Sequence, residues 1–575
     1  MCVSNSTLPL SAVFFLPAAA TTLHSRCGVI YHQRSIHKKR SGAEVNRKRL
    51  RAAIIATLFL LECPIFGGSA TWSVNPTSGD WNTAANWTPP TVPNDPSDIA
   101  TFASSSLTEI SISQRTVLLE MVFNSGASAY HFTIQRSGDF GFYGAGLQNN
   151  SGAVQLFDVL ATDTASDYTY LTFPPGSTAG SNVVITTHGA DFADGANPGV
   201  TQLFNASAGS ATLINNGGLA SGARGGEVDF LSQLGQGSHA GNATIINNPG
   251  TVAGALGGRS FFLSGSADNA VITSEGATVS GALGGITQFL NNTGAGSATL
   301  IANAGTNGGE GGVIQFEDFS FAPNARFEVF GNGSLDISLV DPGSLRIGSL
   351  EGDGQVFLGT SQLSVGATNL DTTFSGVIHD SGSLEKIGNA SFTLTGANVY
   401  TGGTTVSSGT LVVGNVTGSA TGTGAVAVNS GTLGGNGIIA GSVTVGTGSG
   451  NGAFLAPAHG GNQQLTLTIQ STLTLNSDST YTYTFKAKRN RFKIDKVIAN
   501  GVTINSGATI NLSGTTQGQL TQGMVLTLIK NTDATPINGT FSNLPDGGIV
   551  TIDGNNLQAS YTGGDGNDLT LTVVP

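Results

Sequence analysis

Four times between residues 225 and 316 the chain writes Gly-Gly, three residues, then Phe. The copies are Gly225-Gly226 to Phe230, Gly257-Gly258 to Phe262, Gly284-Gly285 to Phe289 and Gly311-Gly312 to Phe316, the last three Phe evenly spaced after one longer step. A relative without the glycine pair ends at Phe204. A second signature runs between them: Ala211-Thr-Leu-Ile, Ala243-Thr-Ile-Ile, Ala270-Val-Ile-Thr and Ala298-Thr-Leu-Ile. A unit of this length cannot bury its own apolar face and must stack on its neighbours, so the period predicts a solenoid. Such a chain reads as a scaffold or surface protein before an enzyme.

Composition narrows the solenoid to β-structure. Glycine supplies 83 of 575 residues, charged residues only 10% and hydrophobic residues 39%. That apolar content excludes a disordered chain. Short apolar runs rich in Thr and Asn, cut by Gly turns, suit many short strands. No sustained helical stripe occurs outside the N-terminus. The expected fold is all-β: a right-handed parallel β-helix with a Trp-rich N-terminal cap and a C-terminal β block. A coil of about 27 residues accommodates three short strands and three turns, and about 18 such coils spaced ~4.8 Å apart would extend about 90 Å. Phe at one station per coil should stack inside. The Gly-Gly pairs are expected at turns that need positive φ.

Residues 1–70 read as an N-terminal extension and signal peptide. Arg47, Lys48, Arg49 and Arg51 form a positive region, residues 52–66 an apolar one, and Gly67-Gly68-Ser69-Ala70 offers small residues for cleavage after Ala70. The apolar run is shorter than the roughly 20 residues of a membrane helix. No Met occurs between Met1 and Met121, so translation is expected to start near Val45, with an extended signal peptide as the alternative. Cys2, Cys27 and Cys63 all lie before residue 64, leaving the body without thiol chemistry. The net charge is −12 for the whole chain and −19 without residues 1–70. An exported, acidic exterior argues against nucleic acid or an anionic membrane as partner, and no integral membrane domain is expected in the mature chain.

The remaining chain divides by composition. Residues 71–104 hold Trp72, Trp81 and Trp87 and four prolines, Pro89, Pro90, Pro93 and Pro96. They suit a cap over the exposed end of a solenoid, the alternative being a sugar-stacking platform. Residues 105–380 carry the β-helix with its long-period repeats, 381–464 a distinct repeat region and 465–575 a C-terminal β block. There Tyr481, Tyr483 and Phe485 share one strand face and read as core or cap.

Residues 384–415 contain two alternating strands with turns at Gly396-Ala397-Asn398 and Ser407-Ser408-Gly409. The run Leu394-Thr-Gly-Ala-Asn-Val-Tyr-Thr-Gly-Gly-Thr-Thr-Val-Ser-Ser-Gly-Thr-Leu411 resembles the autotransporter-associated beta strand repeat of secreted bacterial proteins, and Ser430-Gly-Thr-Leu433 echoes its end. The resemblance implies an exported β-helical passenger segment, displayed or released, and no catalytic residues. A complete autotransporter also carries a membrane barrel with aromatic girdles. Residues 416–575 show Gly-rich strands without that pattern, so the resemblance is to the passenger part.

Three groups of residues could carry chemistry. Gly563-Gly-Asp-Gly-Asn-Asp568 matches one turn of a calcium-binding roll, with Asp565 and Asp568 as metal candidates. A single loop cannot supply 6–8 oxygen ligands, so a hairpin turn is the expected reading and no cofactor is required. The basic cluster Lys486, Lys488, Arg489, Arg491, Lys493 and Lys496 would suit an acidic extracellular polysaccharide or a cell-envelope component; otherwise its charges blunt a strand edge. The carboxylate pairs Asp163/Asp167, Asp191/Asp194 and Glu317/Asp318 are the candidates for a polysaccharide lyase or hydrolase, but all lie in Gly- and Ser-rich turns. His131, His188, His239, His379 and His459 are scattered without metal spacing. The expected function is therefore a non-catalytic structural or adhesive solenoid at the cell surface or outside the cell, with a β-helical carbohydrate-active enzyme as the alternative. Surface aromatics beside carboxylates in one groove would favour the enzyme.

Overall fold

A computed structural model describes residues 68–136, 138–163, 167–192, 196–232, 237–341, 343–450, 452–458, 464–489 and 491–575. The extension and most of the signal segment, Asp194 and His459 lie outside the described residues.

The chain coils as a parallel β-helix. A first sheet of 14 strands runs from Trp87–Thr88 and Ala70–Trp72 to Val377–His379. Every pair in it is parallel except the first, where Trp72 faces Trp87. A second sheet stacks Glu109–Ile112, His131–Ile134, Gln155–Val159, Ser181–Thr187 and their successors up to Ser344–Gly352. That last strand is long enough to serve two ladders: Ser344–Ile347 pairs with Gln362–Val365, while Gly352 pairs with Phe374. The coil shortens just before the fork, where Val313 pairs with Ser334 and Phe327 with Leu350, and stays short after it. Leu363, Leu384, Thr404 and Val426 are successive register partners, each step shorter than those from Phe262 to Phe289 and on to Phe316. A third sheet begins at Ile438–Ile439 and runs parallel through Thr466–Ile469 and Lys496–Ala499 to Val525–Asn531. There it turns antiparallel through Asp568–Val574, Asn555–Gly563 and Ile549–Ile552, which gives the C-terminal β block its closing hairpins.

The repeat signature maps onto this register. Phe230, Phe262, Phe289 and Phe316 are successive partners, and their rings stack at 4.3, 4.7 and 4.6 Å. Strand alternation places these rings inside. The preceding coil supplies Leu203 at this station; Phe204 pairs with Leu231 and is half-buried on the outer side. An alignment through Phe204 is thus one position out of register, which reverses the face. On the second sheet Ala211, Ala243, Ala270 and Ala298 are buried, as are Leu213, Ile245, Ile272 and Leu300 two positions on.

Two expectations are corrected. The Gly-Gly pairs are not positive-φ turns; the left-handed glycines of the repeats lie in two other series, Gly222, Gly254, Gly281 and Gly308, and Gly209, Gly241 and Gly296. At Gly258, Gly285 and Gly312 a Cβ would instead run into the carbonyls of Asn215, Asn247 and Ser274. The first glycine of each pair is pressed in the same way against the next coil, Gly257 against Gly284 and Gly284 against Gly311. Each coil of this region also has two strands, not three. The third face is reduced to one bridging residue per coil: Thr178, Ser207, His239, Ser266, Gly294 and Phe321. The saved length goes into a side arm, in which Gly222, Gly254, Gly281 and Gly308 hydrogen-bond in series.

Inside the turns of the second sheet runs a polar ladder. Thr187, Asn215, Asn247 and Ser274 are register partners and buried. Thr187 Oγ1 donates to Asn215 Oδ1 at 2.6 Å and Asn215 Nδ2 to Asn247 Oδ1 at 2.7 Å. Ser260 Oγ donates to Asn247 Oδ1 at 2.8 Å, and Asn247 Nδ2 donates to Thr287 Oγ1 at 3.0 Å. Side-chain amides are tolerated here because each meets a partner in the adjacent coil.

The three tryptophans are 1%, 0% and 2% exposed. Trp81 and Trp87 pack edge-on at 4.7 Å, Trp72 and Trp87 at 5.1 Å, and Trp81 meets Phe140 at 5.6 Å. Their Nε1 groups donate to the carbonyls of Leu107, Pro93 and Trp81. They are a buried cap and present no face to a sugar. Tyr481, Tyr483 and Phe485 are likewise core.

Candidate functional site

The basic cluster is built on a hairpin. Ser479–Lys488 and Arg491–Ile494 pair antiparallel, with Lys486 opposite Lys493 and Lys488 opposite Arg491. Phe485 and Ala487 point inward and are buried, so alternation turns Lys486 and Lys488 out. Arg489, Arg491 and Lys493 are exposed beside Phe492. Among the described residues no ion pair joins Lys488, Arg489, Arg491 or Lys493 to an acid. The inner side of the hairpin is fixed by the buried Asp495, which accepts from Thr484 N at 2.9 Å, Thr484 Oγ1 at 2.7 Å and Leu465 N at 3.0 Å. Lys496 is separate: it opens the third-sheet strand Lys496–Ala499 and is half-buried.

Asp565 and Asp568 sit where Asn555–Gly563 and Asp568–Val574 join, with Gly563 opposite Asp568. Asp565 is exposed, whereas Asp568 turns inward and its Oδ1 accepts from Asn531 N at 2.9 Å. The loop is a hairpin turn, and the two carboxylates face different surroundings.

The turn carboxylates divide. Asp163 and Asp191 are brought together, both ion-paired to Arg136. Asp167 is exposed and offers its backbone carbonyl to Thr162 and Asn197. Glu317 accepts from Gln288 Nε2 at 3.3 Å, and Asp318 holds a left-handed turn at φ 53°. Two histidines are less scattered than their spacing implied. His131 lies 2.9 Å from Glu109 and 2.8 Å from Asp158, and His188 Nε2 is 3.4 Å from the other oxygen of Asp158. Burial lowers the His131 pKa, but Asp158 and Glu109 outweigh it and hold the imidazole raised. No cluster of three or more such side chains among the described residues has metal-binding geometry. Nearby, a shallow cleft of about 500 Å³ is lined by Arg136, His188, Asp191, Leu219, Pro249 and Val279.

A further constellation escaped the sequence reading. The outward face of the first sheet carries Tyr168 and Tyr170, stacked at 5.5 Å. Arg224 donates to the Tyr168 hydroxyl at 3.0 Å and pairs with Glu227 at 3.3 Å; Arg259 also pairs with Glu227 and lies 4.6 Å over the Phe261 ring. In the next outward row Gln202, Asp229, Phe261, Gln288 and Gln315 are successive register partners. Gln202 Nε2 reaches Asp229 Oδ2 at 3.4 Å and Gln288 Nε2 reaches Gln315 Oε1 at 2.8 Å. Burial pushes the Asp229 carboxyl up to about 7 against the opposing pull of Gln202 and Arg224. The same cause pushes Asp139, which accepts from Tyr170 N, up to about 6. The signal was present in sequence: Tyr168-Thr-Tyr170 and Glu227-Val-Asp229 alternate with inward residues. Only the coil register brings segments so distant along the chain onto one face.

Residues 384–413 match the family model of the passenger-associated-transport-repeat. The chain thus carries such a repeat, on the segment that resembles the autotransporter-associated strand repeat. Within it Lys386 is buried, and its Nζ donates to the carbonyls of Ile387, Gly388 and Ser408 at 2.6, 2.9 and 3.3 Å. No curated protein matches the chain. Among solved structures the Haemophilus influenzae Hap adhesin aligns at 11% identity and a TM-score of 0.21, over 83% of this chain and 64% of that one. A likeness at that score carries no argument, and this chain spans less than two thirds of the other's length.

Proposed function

We propose that this protein is an exported, passenger-type β-solenoid that acts as a non-catalytic scaffold and adheres to acidic polysaccharide through the 486–493 hairpin. The observation that carries the adhesive reading is the hairpin's register. Lys486 faces Lys493 and Lys488 faces Arg491, and like charges directly opposite destabilise an antiparallel pair. A hairpin chosen for stability alone would alternate signs. The cluster also stands on a chain that is otherwise strongly acidic, so it focuses attraction at one place. The passenger-type repeat supports the export reading.

The test is fractionation of the native producer, followed by chromatography of the purified protein on immobilised heparin. Recovery in the medium or outer envelope, with salt-sensitive retention that disappears in a Lys488→Glu/Arg491→Glu double variant, is expected. Recovery only from the cell interior, or retention indifferent to the double variant, would overturn the proposal.

A second reading, a carbohydrate-active enzyme, draws on Glu227 and Asp229 near Tyr168 and Tyr170, with Glu317 further along the same sheet. It requires new reducing ends or unsaturated uronates from a polysaccharide panel, lost on Asp229→Asn; a panel without product removes it.

A further inference from the structure

We propose that the outward face of the first sheet from Tyr168 to Gln315 is a binding site for a neutral oligosaccharide lying along the stacking direction of the coils. It does not rest on the hairpin reading, and it stands whether or not a bond is cleaved.

Shape and spacing come first. Register places one outward side chain per coil in a straight row: Gln202, Asp229, Phe261, Gln288 and Gln315. Adjacent coils are ~4.8 Å apart, so the row is a regular series of planar amide and carboxyl groups, with Gln202 and Gln288 buried and bonded to their neighbours and Gln315 half-buried. An amide carries a donor and an acceptor side by side, which suits vicinal hydroxyls; those of Gln288 are bonded to Gln315, Glu317 and Arg259 and would exchange these partners for a ligand's hydroxyls. Phe261 interrupts the row with an apolar ring, and Tyr168 and Tyr170 add a stacked pair at its start. Ring faces of this kind take the C–H faces of a pyranose, with polar groups fixing its orientation.

An unsatisfied atom marks the centre. Asp229 Oδ1 is shut off from solvent and has no hydrogen-bond partner among the described residues, while Oδ2 has only the long contact from Gln202. A buried acceptor without a donor is uncommon in a settled fold, and a ligand hydroxyl would supply one once the side chains over it turn aside.

Charge selects the ligand class. Arg224 and Arg259 both pair with Glu227, and Arg224 also binds Tyr168. Glu317 also acts on Arg259, so two carboxylates offset the two guanidiniums and no net positive charge is left for a sulfate or uronate. Burial raises the Asp229 carboxyl to about 7, which weakens its negative charge at neutral pH. The face therefore fits an uncharged polyol, where the hairpin fits a polyanion.

The test uses the full chain with cellohexaose, xylohexaose and laminarihexaose as neutral probes and hexagalacturonate as the acidic one, by calorimetry. At least one neutral hexasaccharide should bind with Kd of about 1 mM or tighter. Its affinity should fall at least about tenfold in Tyr170→Ala and in Asp229→Ala, and persist in Lys488→Glu/Arg491→Glu. Should either site variant fail to fold, Gln288→Ala and Gln315→Ala, both in the same row, replace them. No neutral binding at that level, binding indifferent to the site variants, or preference for hexagalacturonate would overturn the assignment. Loss of heparin retention alone would count against the hairpin and leave this site standing.

Discussion

Gly281 and Gly285 are close neighbours in one coil and are glycine for different reasons. Gly281 has φ 71° and open space, its nearest neighbour being Ala253 Cβ at 3.6 Å. Gly285 has ordinary φ, but a Cβ there would strike the carbonyl of Asn247 in the previous coil. Gly281→Ala should cost about 1 kcal/mol from backbone strain. Gly285→Ala should cost upwards of about 3 kcal/mol, because backbone rather than a rotamer must give way. Urea midpoints of the two variants check the order. The glycine period was legible in sequence; the reason for the pair was not, since the obstacle to a side chain at Gly285 belongs to Asn247, a full coil earlier. Asp229 shows the same limit in charge. Its folded pKa, about 7, lies above the ordinary carboxyl value near 4. The native state then binds more protons than the unfolded chain between those limits, so this group's contribution to stability falls as pH rises from about 4 to 7. Asp229→Asn should raise the melting temperature relative to wild type at pH 8, with the gain shrinking towards pH 4; an equal gain at both pH values would contradict this assignment.

Strands obey alternation more faithfully than they obey propensity. The Phe station and the Ala-x-Leu/Ile signature translated directly into buried columns because the strand period of two and the coil period act together. The third strand did not appear because its segments, such as Ser238-His-Ala-Gly-Asn242, are too short and Gly/Ala-rich to offer more than one bridging residue. The hairpin at 479–494 was legible as a charged segment, and its like-charge register was not. That register yields a trade. Lys493→Glu places an acid opposite Lys486 and should stabilise the hairpin by about 0.5 kcal/mol, while weakening retention on heparin. Amide exchange across Thr484–Lys488, compared with the elution salt of the same variant, reads both effects; slower exchange without earlier elution would separate the charge pattern from binding.

At the level of the whole chain, contacts are made with the next coil and rarely beyond, so stability is close to a sum over coils and their interfaces. Fold class and the repeat at 384–413 were legible for this reason: each copy repeats the instruction. The fork at Ser344–Gly352 was not, since no local signal marks a strand that serves two ladders. Deleting residues 259–285 joins Gly258 to Ile286, which occupy neighbouring steps of one register, and brings Phe230 onto Phe289. This variant should keep its β-signal per residue and a single cooperative melt. Deleting only residues 259–271 should not, because it moves the inward Ile272 to the outward station of Arg259 and reverses the faces of everything that follows in that strand. Circular dichroism of the pair decides the point.

The fork also bears on how such a chain changes over generations. Upstream of it the second sheet is a single ladder and downstream two ladders run side by side, and the one strand Ser344–Gly352 feeds both. Recombination that duplicates or drops a coil on either side leaves that strand's pairing intact. The molecule therefore holds two independently extensible arrays joined by an adaptor, and lineages descended from it should differ in length by whole coils while the adaptor strand stays constant in length.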